Sequence, residues 1–245
     1  MDAGHVCREH CQSRLHAIER VIELASQGRS LIGFDFAFGV PTLSESAPTG
    51  RDLAAFFRSQ FLTEGAKEGC RFRAASSFNH KFGDGVGPFY SRVSSWKDVK
   101  AAGLINTPTS AASERSHRVV DLRTGANSPW QMAGQGSVGS QTVVGLAWLD
   151  HLLDRLDASL WPFEPITSDH VVVEIYPTHH QREYLAIPGR SLFTGINDER
   201  QVAASAEWFR SLDQAGAMKE LLSLDGMNSS DRAAARAEGW ILGVR

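Results

Sequence analysis

The sequence predicts an α/β fold of three layers. Helical periodicities alternate with near-continuous apolar runs, two of those runs stop at a proline, and the composition is that of an ordinary globular chain. The 245 residues are 42% hydrophobic and 22% charged, enough for a single domain with a full core. Residues 1–12, lacking an apolar run, are expected to be disordered and to carry no signal peptide.

Residues 13–27 place Leu15, Ile18, Val21, Ile22 and Leu24 at mostly three- and four-residue spacings, which predicts an amphipathic helix ending near Gly28. Leu31 to Val40 is almost wholly apolar and is stopped by Pro41, as befits a strand covered on both faces. A helix-like stretch from Leu53 follows. The Gly- and Ser-containing stretch from about Phe72 to Ser113 reads as a long loop. Val143 to Leu156 predicts a second helix, and His170 to Tyr176, stopped by Pro177, a second buried strand. A helical region over about 202–224, a shorter one over about 230–238 and a closing strand over 239–244 complete the pattern.

Net charge is −3, from 25 Lys and Arg against 28 Asp and Glu, so bulk charge does not hold this chain to nucleic acid or membrane. Any such contact must be local. Cys7, Cys11 and Cys70 cannot all pair and are too few for a disulfide framework, which predicts a cytoplasmic protein. The stretch Thr124 to Leu149 has no Lys, Arg, Asp or Glu, but its Gly, Ser, Gln and Asn content argues against a membrane span.

Two acids interrupt the apolar runs: Asp35 between Phe34 and Phe36, and Glu174 between Val173 and Ile175. Burying an ionised carboxylate costs several kcal/mol unless a cation, a metal or hydrogen bonds compensate. Both also fall near the C-terminal ends of their strands, where open α/β sheets bind ligands. Converging carboxylates suit Mg²⁺ or Mn²⁺, which can activate water against a phosphodiester. Asp231 is the third candidate ligand, with a helix cap as the competing explanation and Asp225 as the competing acid.

Several segments together resemble a bacterial family of uncharacterised proteins predicted to be RNase H-like nucleases. They are Leu31–Pro41, Gly87–Tyr90, Ser128–Thr142, Leu160–Glu164, Val172–Pro177 and Glu238–Val244. The resemblance implies a three-layer RNase H-like fold with a mixed central sheet, one domain over 1–245, and Asp35 and Glu174 as metal ligands. Members of the family usually carry a further N-terminal strand with an early Asp, so this chain is expected to lack that strand. The implied function is metal-dependent phosphodiester hydrolysis, with Asp35, Glu174 and Asp231 as catalytic and metal-binding residues. The alternatives are a non-catalytic nucleotide- or nucleic-acid-binding protein of the same fold, or a truncated fragment of an intact enzyme.

Arg115, His117, Arg118 and Arg123 form the clearest basic cluster, and Arg71 with Arg73 a second. Arg118 and Arg123 are the candidate phosphate ligands, against a solvated, salt-bridged face. Gly134-Gln-Gly136-Ser137-Val-Gly139 fits a dinucleotide fingerprint formally but lacks the preceding strand. Gly136 and Ser137 remain candidates for cradling a phosphate at a helix start, with close helix packing as the other explanation of the glycines. His5, Cys7, His10 and Cys11 invite a zinc reading without a second ligand pair. His179 and His180 read as solvated loop histidines or as acid–base groups near the sheet edge. Phe78, Phe82, Phe89 and Tyr90 could stack bases, though packing on the core fits them better.

Overall fold

The computed structural model describes residues 7–44, 46–93 apart from 65–69, and 95–245. Its sheet has three strands: β1 (Ser30–Phe34), β2 (Ser159–Leu160) and β3 (His170–Glu174), in the order β1-β3-β2. Both pairings are parallel, with Ser30 opposite His170 and Phe34 opposite Glu174. Ile241 adds a parallel bridge to Glu174, so the expected closing strand shrinks to a single contact. The mixed sheet implied by the resemblance is therefore corrected to a parallel one among the described residues. Helices carry the chain from β1 to β2, whereas the nine residues between β2 and β3 return to a parallel strand as turns without a helix.

Among the described residues eleven helices surround the sheet: α1 (Arg14–Ala25), α2 (Gly50–Glu64), α3 (Cys70–Phe82), α4 (Lys97–Ala101), α5 (Ser110–Glu114), α6 (Val119–Thr124), α7 (Gly139–Leu153), α8 (Pro177–Ala186), α9 (Asn197–Gln214), α10 (Met218–Leu222) and α11 (Ser229–Glu238). They divide into two layers because strand side chains alternate. Ile32 and Val172 point into a core shared with α1, α2, α3 and α7, whereas Val171, Val173 and Ile175 point into one shared with α8, α9 and α11. The three-layer expectation holds.

The first layer is held by aromatic packing. Phe78 stacks on Phe57 at 5.9 Å and meets Phe89 edge-on at 5.4 Å, while Phe89 meets Trp130 at 4.9 Å. Phe78, Phe89 and Tyr90 are buried, so they are core residues and not base-stacking surfaces. Asn79 organises the following turn, accepting from Phe89 N–H at 2.8 Å and donating to Val86 and Phe89 carbonyls at 3.0 and 2.9 Å.

The expected long loop over 72–113 is corrected in its first part, which is α3. Phe72, Ala75, Phe78 and Asn79 recur at helical spacing and are buried, a pattern that the neighbouring serines disguised. The expected loop histidines lie in α8, which starts with Pro177 at its first turn. Residues 7–12 are described, and Glu9 pairs with Arg20 at 2.9 Å; residues 1–6, with His5 of the zinc reading, lie outside the described residues.

Candidate functional site

Glu174 ends β3 and is 3% exposed. Arg118, just before α6 and 2% exposed, donates through Nη1 and Nη2 to its two carboxylate oxygens, both at 2.6 Å. Phe38 N–H adds a third hydrogen bond at 2.9 Å. Arg118 also holds Asp121 through Nε at 3.0 Å and Nη2 at 2.7 Å, and Asp121 accepts from the backbone N–H of Arg118 at 3.0 Å. Burial works against the guanidinium's charge, but Asp121 and Glu174 outweigh it and hold Arg118 well above its ordinary range. For Glu174 the buried-acid argument from sequence holds, and its compensating cation is an arginine.

Asp35, expected inside a buried strand over Leu31–Val40, instead follows β1 directly and is solvent-exposed as a residue, because the strand stops at Phe34 and the chain bends there. It makes no hydrogen bond to another described residue. Desolvation of its crowded carboxyl, reinforced by the charges of Glu174 and Asp198, pushes its pKa up to about 6. The structure thus brings Asp35 and Glu174 within electrostatic reach of each other.

Asp231 belongs to a different place. It lies in the first turn of α11, where its N–H donates to Asn228 Oδ1 at 2.8 Å and its Oδ2 accepts from Asn228 Nδ2 at 2.5 Å. Arg123 Nη2 reaches the same oxygen at 2.5 Å, with its guanidinium 5.5 Å from the Trp240 ring centre. Asn228 is the cap of α11, Asp231 a first-turn acid beside it, and Arg123 the partner of Asp231. Arg115 is likewise engaged, with Nη1 donating to the Thr42 carbonyl at 2.5 Å. Arg118 and Arg123 therefore both hold carboxylates, Arg118 with its side chain 2% exposed and closed to a phosphate, Arg123 through Nη2 alone with its side chain 35% exposed.

The predicted Mg²⁺ or Mn²⁺ ligand set does not fit these positions. Two of its three carboxylates are bound to arginines, and among the described residues no three His, Cys, Asp or Glu side chains converge on a point where an ion would sit. Cys7, His10 and Cys11 form no such group either.

A second region has the opposite character. A pocket of about 670 Å³ opens beside the N-terminus of α7, between α1, α3 and the Trp96 segment. Its described lining carries Arg14 and Arg71 and no acid, together with the aromatic rings of Phe61, Trp96 and Trp148. Gly134 and Ser137 belong to the same wall. Gly134 and Gly136 have φ of 105° and 73°, a left-handed geometry that side chains resist, and Ser137 N–H closes the turn on the Gly134 carbonyl at 3.1 Å. Val138, at the N-cap of α7, offers no side-chain acceptor to the first-turn N–H groups. Gly139 has a packing role, since a Cβ there would lie 2.6 Å from the Pro129 carbonyl oxygen.

Of this pocket, sequence reading identified Ser137 and the neighbouring Gly136 as phosphate candidates and Arg71 within a basic cluster. Arg14, Trp96 and Trp148 were missed, because nothing in their local sequence separates a pocket-lining side chain from a surface one. Together the fold and the pocket define a three-layer α/β protein with an arginine-bearing recess at a helix start. Comparison with family models, curated proteins and solved structures found no match to this chain.

Proposed function

We propose that this chain binds a nucleotide-type ligand, a phosphate attached to an aromatic base, in the pocket at the N-terminus of α7, without a metal ion. The carrying observation is the pocket's lining: Arg14 stands with the rings of Trp96 and Trp148 beside the start of α7, in a protein whose total charge is −3. Gly139 N–H at the start of α7 is taken by the Gln131 carbonyl at 2.9 Å, and the rest of the first turn, without a side-chain cap, presents its N–H groups and the positive end of the helix dipole to an anion. Guanidinium groups match phosphate oxygens, and indole faces stack on bases regardless of sequence. This reading favours the binding-protein alternative over the hydrolase.

Titration of the native tryptophan fluorescence with mononucleotides and short oligonucleotides in the presence of EDTA tests it. Quenching by a nucleotide, weakened by Arg14→Ala and by Trp96→Ala, is expected. Absence of binding to any mononucleotide or oligonucleotide would sink the proposal.

Metal-dependent phosphodiester hydrolysis is the second reading, and the unbonded carboxyl of Asp35 beside Glu174 is what favours it. It requires Arg118 to release Glu174. Mn²⁺-dependent cleavage of single-stranded DNA, RNA or hybrid duplex, abolished by Asp35→Asn, would replace the first reading with this one.

A further inference from the structure

β1 is an edge strand whose outward side carries self-complementary features. Ser30 N–H donates to the Asp169 carbonyl at 3.1 Å and Ile175 N–H to the Phe34 carbonyl at 3.0 Å, so Ser30, Ile32 and Phe34 direct their backbone groups at β3. Leu31 and Gly33 direct theirs away from the sheet, where no described strand pairs with them. Gly33 is exposed, and cannot carry a Cβ because a methyl of Ile175 lies 2.7 Å from where it would stand. Beside this edge runs a cleft of about 510 Å³ between the sheet and α9, lined by Leu31, Gly33, Ile175, Val202 and Phe209 among others. Natural edge strands are usually covered, bulged or charged along their length, because an open row of backbone groups templates pairing. This edge has its charges only at its two ends.

We propose that β1 pairs antiparallel with β1 of a second copy of this chain, about a two-fold axis through Ile32, joining two sheets into one. The register follows from the outward parity. Leu31 lies opposite the partner's Gly33, each pair exchanging both N–H···O bonds, and the arrangement repeats across the axis. A leucine facing a glycine leaves room for its side chain to enter the neighbouring apolar cleft.

The same register sets Arg29 opposite the partner's Asp35. The Arg29 side chain is 87% exposed and only loosely paired with Asp169, at 3.8 Å. Asp35 lacks a described hydrogen-bond partner and sits near Asp198 and Glu174, so the acidic end of one strand meets the basic end of the other. That charge match selects a second copy over an unrelated strand, because it recurs twice about the axis without any further sequence.

Sedimentation analysis of the full chain over a concentration series tests the proposal. The wild type is expected to show a monomer–dimer equilibrium. Arg29→Glu and Asp35→Arg, each placing like charges opposite one another, should each weaken it roughly tenfold. The double variant R29E/D35R restores opposite charges in reversed order and should recover the dimer. Leu31→Pro removes an outward N–H without touching the ladder to β3, and should abolish pairing while circular dichroism stays native. A wild type that stays monomeric at every attainable concentration overturns the proposal. So does a dimer that both single charge reversals leave unchanged, since the contact then lies elsewhere.

Discussion

Arg118 and Arg14 are the same residue type in opposite circumstances. Arg118 is sealed between Glu174 and Asp121 beneath the C-terminal end of β3, with Nε, Nη1 and Nη2 all donating to carboxylates. Arg14 is exposed in the first turn of α1 and faces a pocket without described acids. A guanidinium surrounded by carboxylates holds the fold together, whereas one aimed into an open recess has its charge available to a ligand. The basic clusters of the sequence singled out Arg118 and passed over Arg14, so clustering points the wrong way, and burial with partners decides.

The largest test of this contrast is Arg118→Ala. It leaves two buried carboxylates without their cation, and breaking a buried pair from one side costs about 3–5 kcal/mol. Urea unfolding should register that loss, whereas the same measurement on Arg14→Ala should move by less than about 0.5 kcal/mol. If Arg118→Ala were as stable as the wild type, the sealed network would not be structural.

The second test concerns another sealed group. His180 is fully buried, stacks on Trp208 at 5.1 Å and makes a 2.8 Å hydrogen bond with the Leu242 carbonyl through Nε2. Burial lowers its pKa from 6.5 to about 4, with a smaller push from His179. The fold therefore favours neutral imidazole. Stability is fully present above the unfolded value and is lost as pH falls from 6.5 towards 4, by an order of 3 kcal/mol in total. Unfolding free energy measured across that window should carry this slope, and His180→Gln should flatten it.

A third test falls on the open region. Arg14→Ala and Arg71→Ala should each weaken nucleotide binding roughly tenfold, as expected for losing one charge-assisted contact to phosphate. Arg123→Ala, which removes only the partner of Asp231, should leave binding unchanged. Equal losses in all three variants would erase the distinction between ligand-facing and carboxylate-holding arginines.

The smallest expected effect is at Asp35. Its carboxyl is raised from 3.8 to about 6 by desolvation, then by Glu174 and Asp198. An acid with a raised folded pKa costs stability as pH rises through that window. Asp35→Asn should stabilise the monomer slightly above pH 6, by less than about 1 kcal/mol for a group at the surface. It should change nothing below the unfolded value. Denaturation at low protein concentration, across pH 3.5 to 8, separates the two regimes.

Much of this was legible in the sequence. Helical spacing at Leu15, Ile18 and Ile22 gave α1, and the proline-stopped apolar runs gave β1 and β3, of which only β3 is buried along its length while β1 is an edge strand with Gly33 exposed. The acid inside the second run, Glu174, correctly announced a compensated charge at its strand end, whereas Asp35 in the first run is exposed and has no described partner. The identity of the compensation was out of reach, since Arg118 and Glu174 are 56 residues apart and a metal satisfies the same solvation argument. The helix α3 was hidden by small polar residues between its buried positions, and His180 by a local sequence indistinguishable from a loop.

By itself the sequence determined the most strongly periodic helices and the two proline-stopped strands, because periodicity and proline act over a few neighbours, and it determined that Asp35 and Glu174 lie at the same sheet end. Only the tertiary structure decided which charges meet. Arg118 sealed on Glu174, Arg123 on Asp231, and Arg14 drawn with Arg71 to one pocket are all long-range juxtapositions. Such juxtapositions depend on how the layers pack around the sheet, and local composition carries no record of that distance.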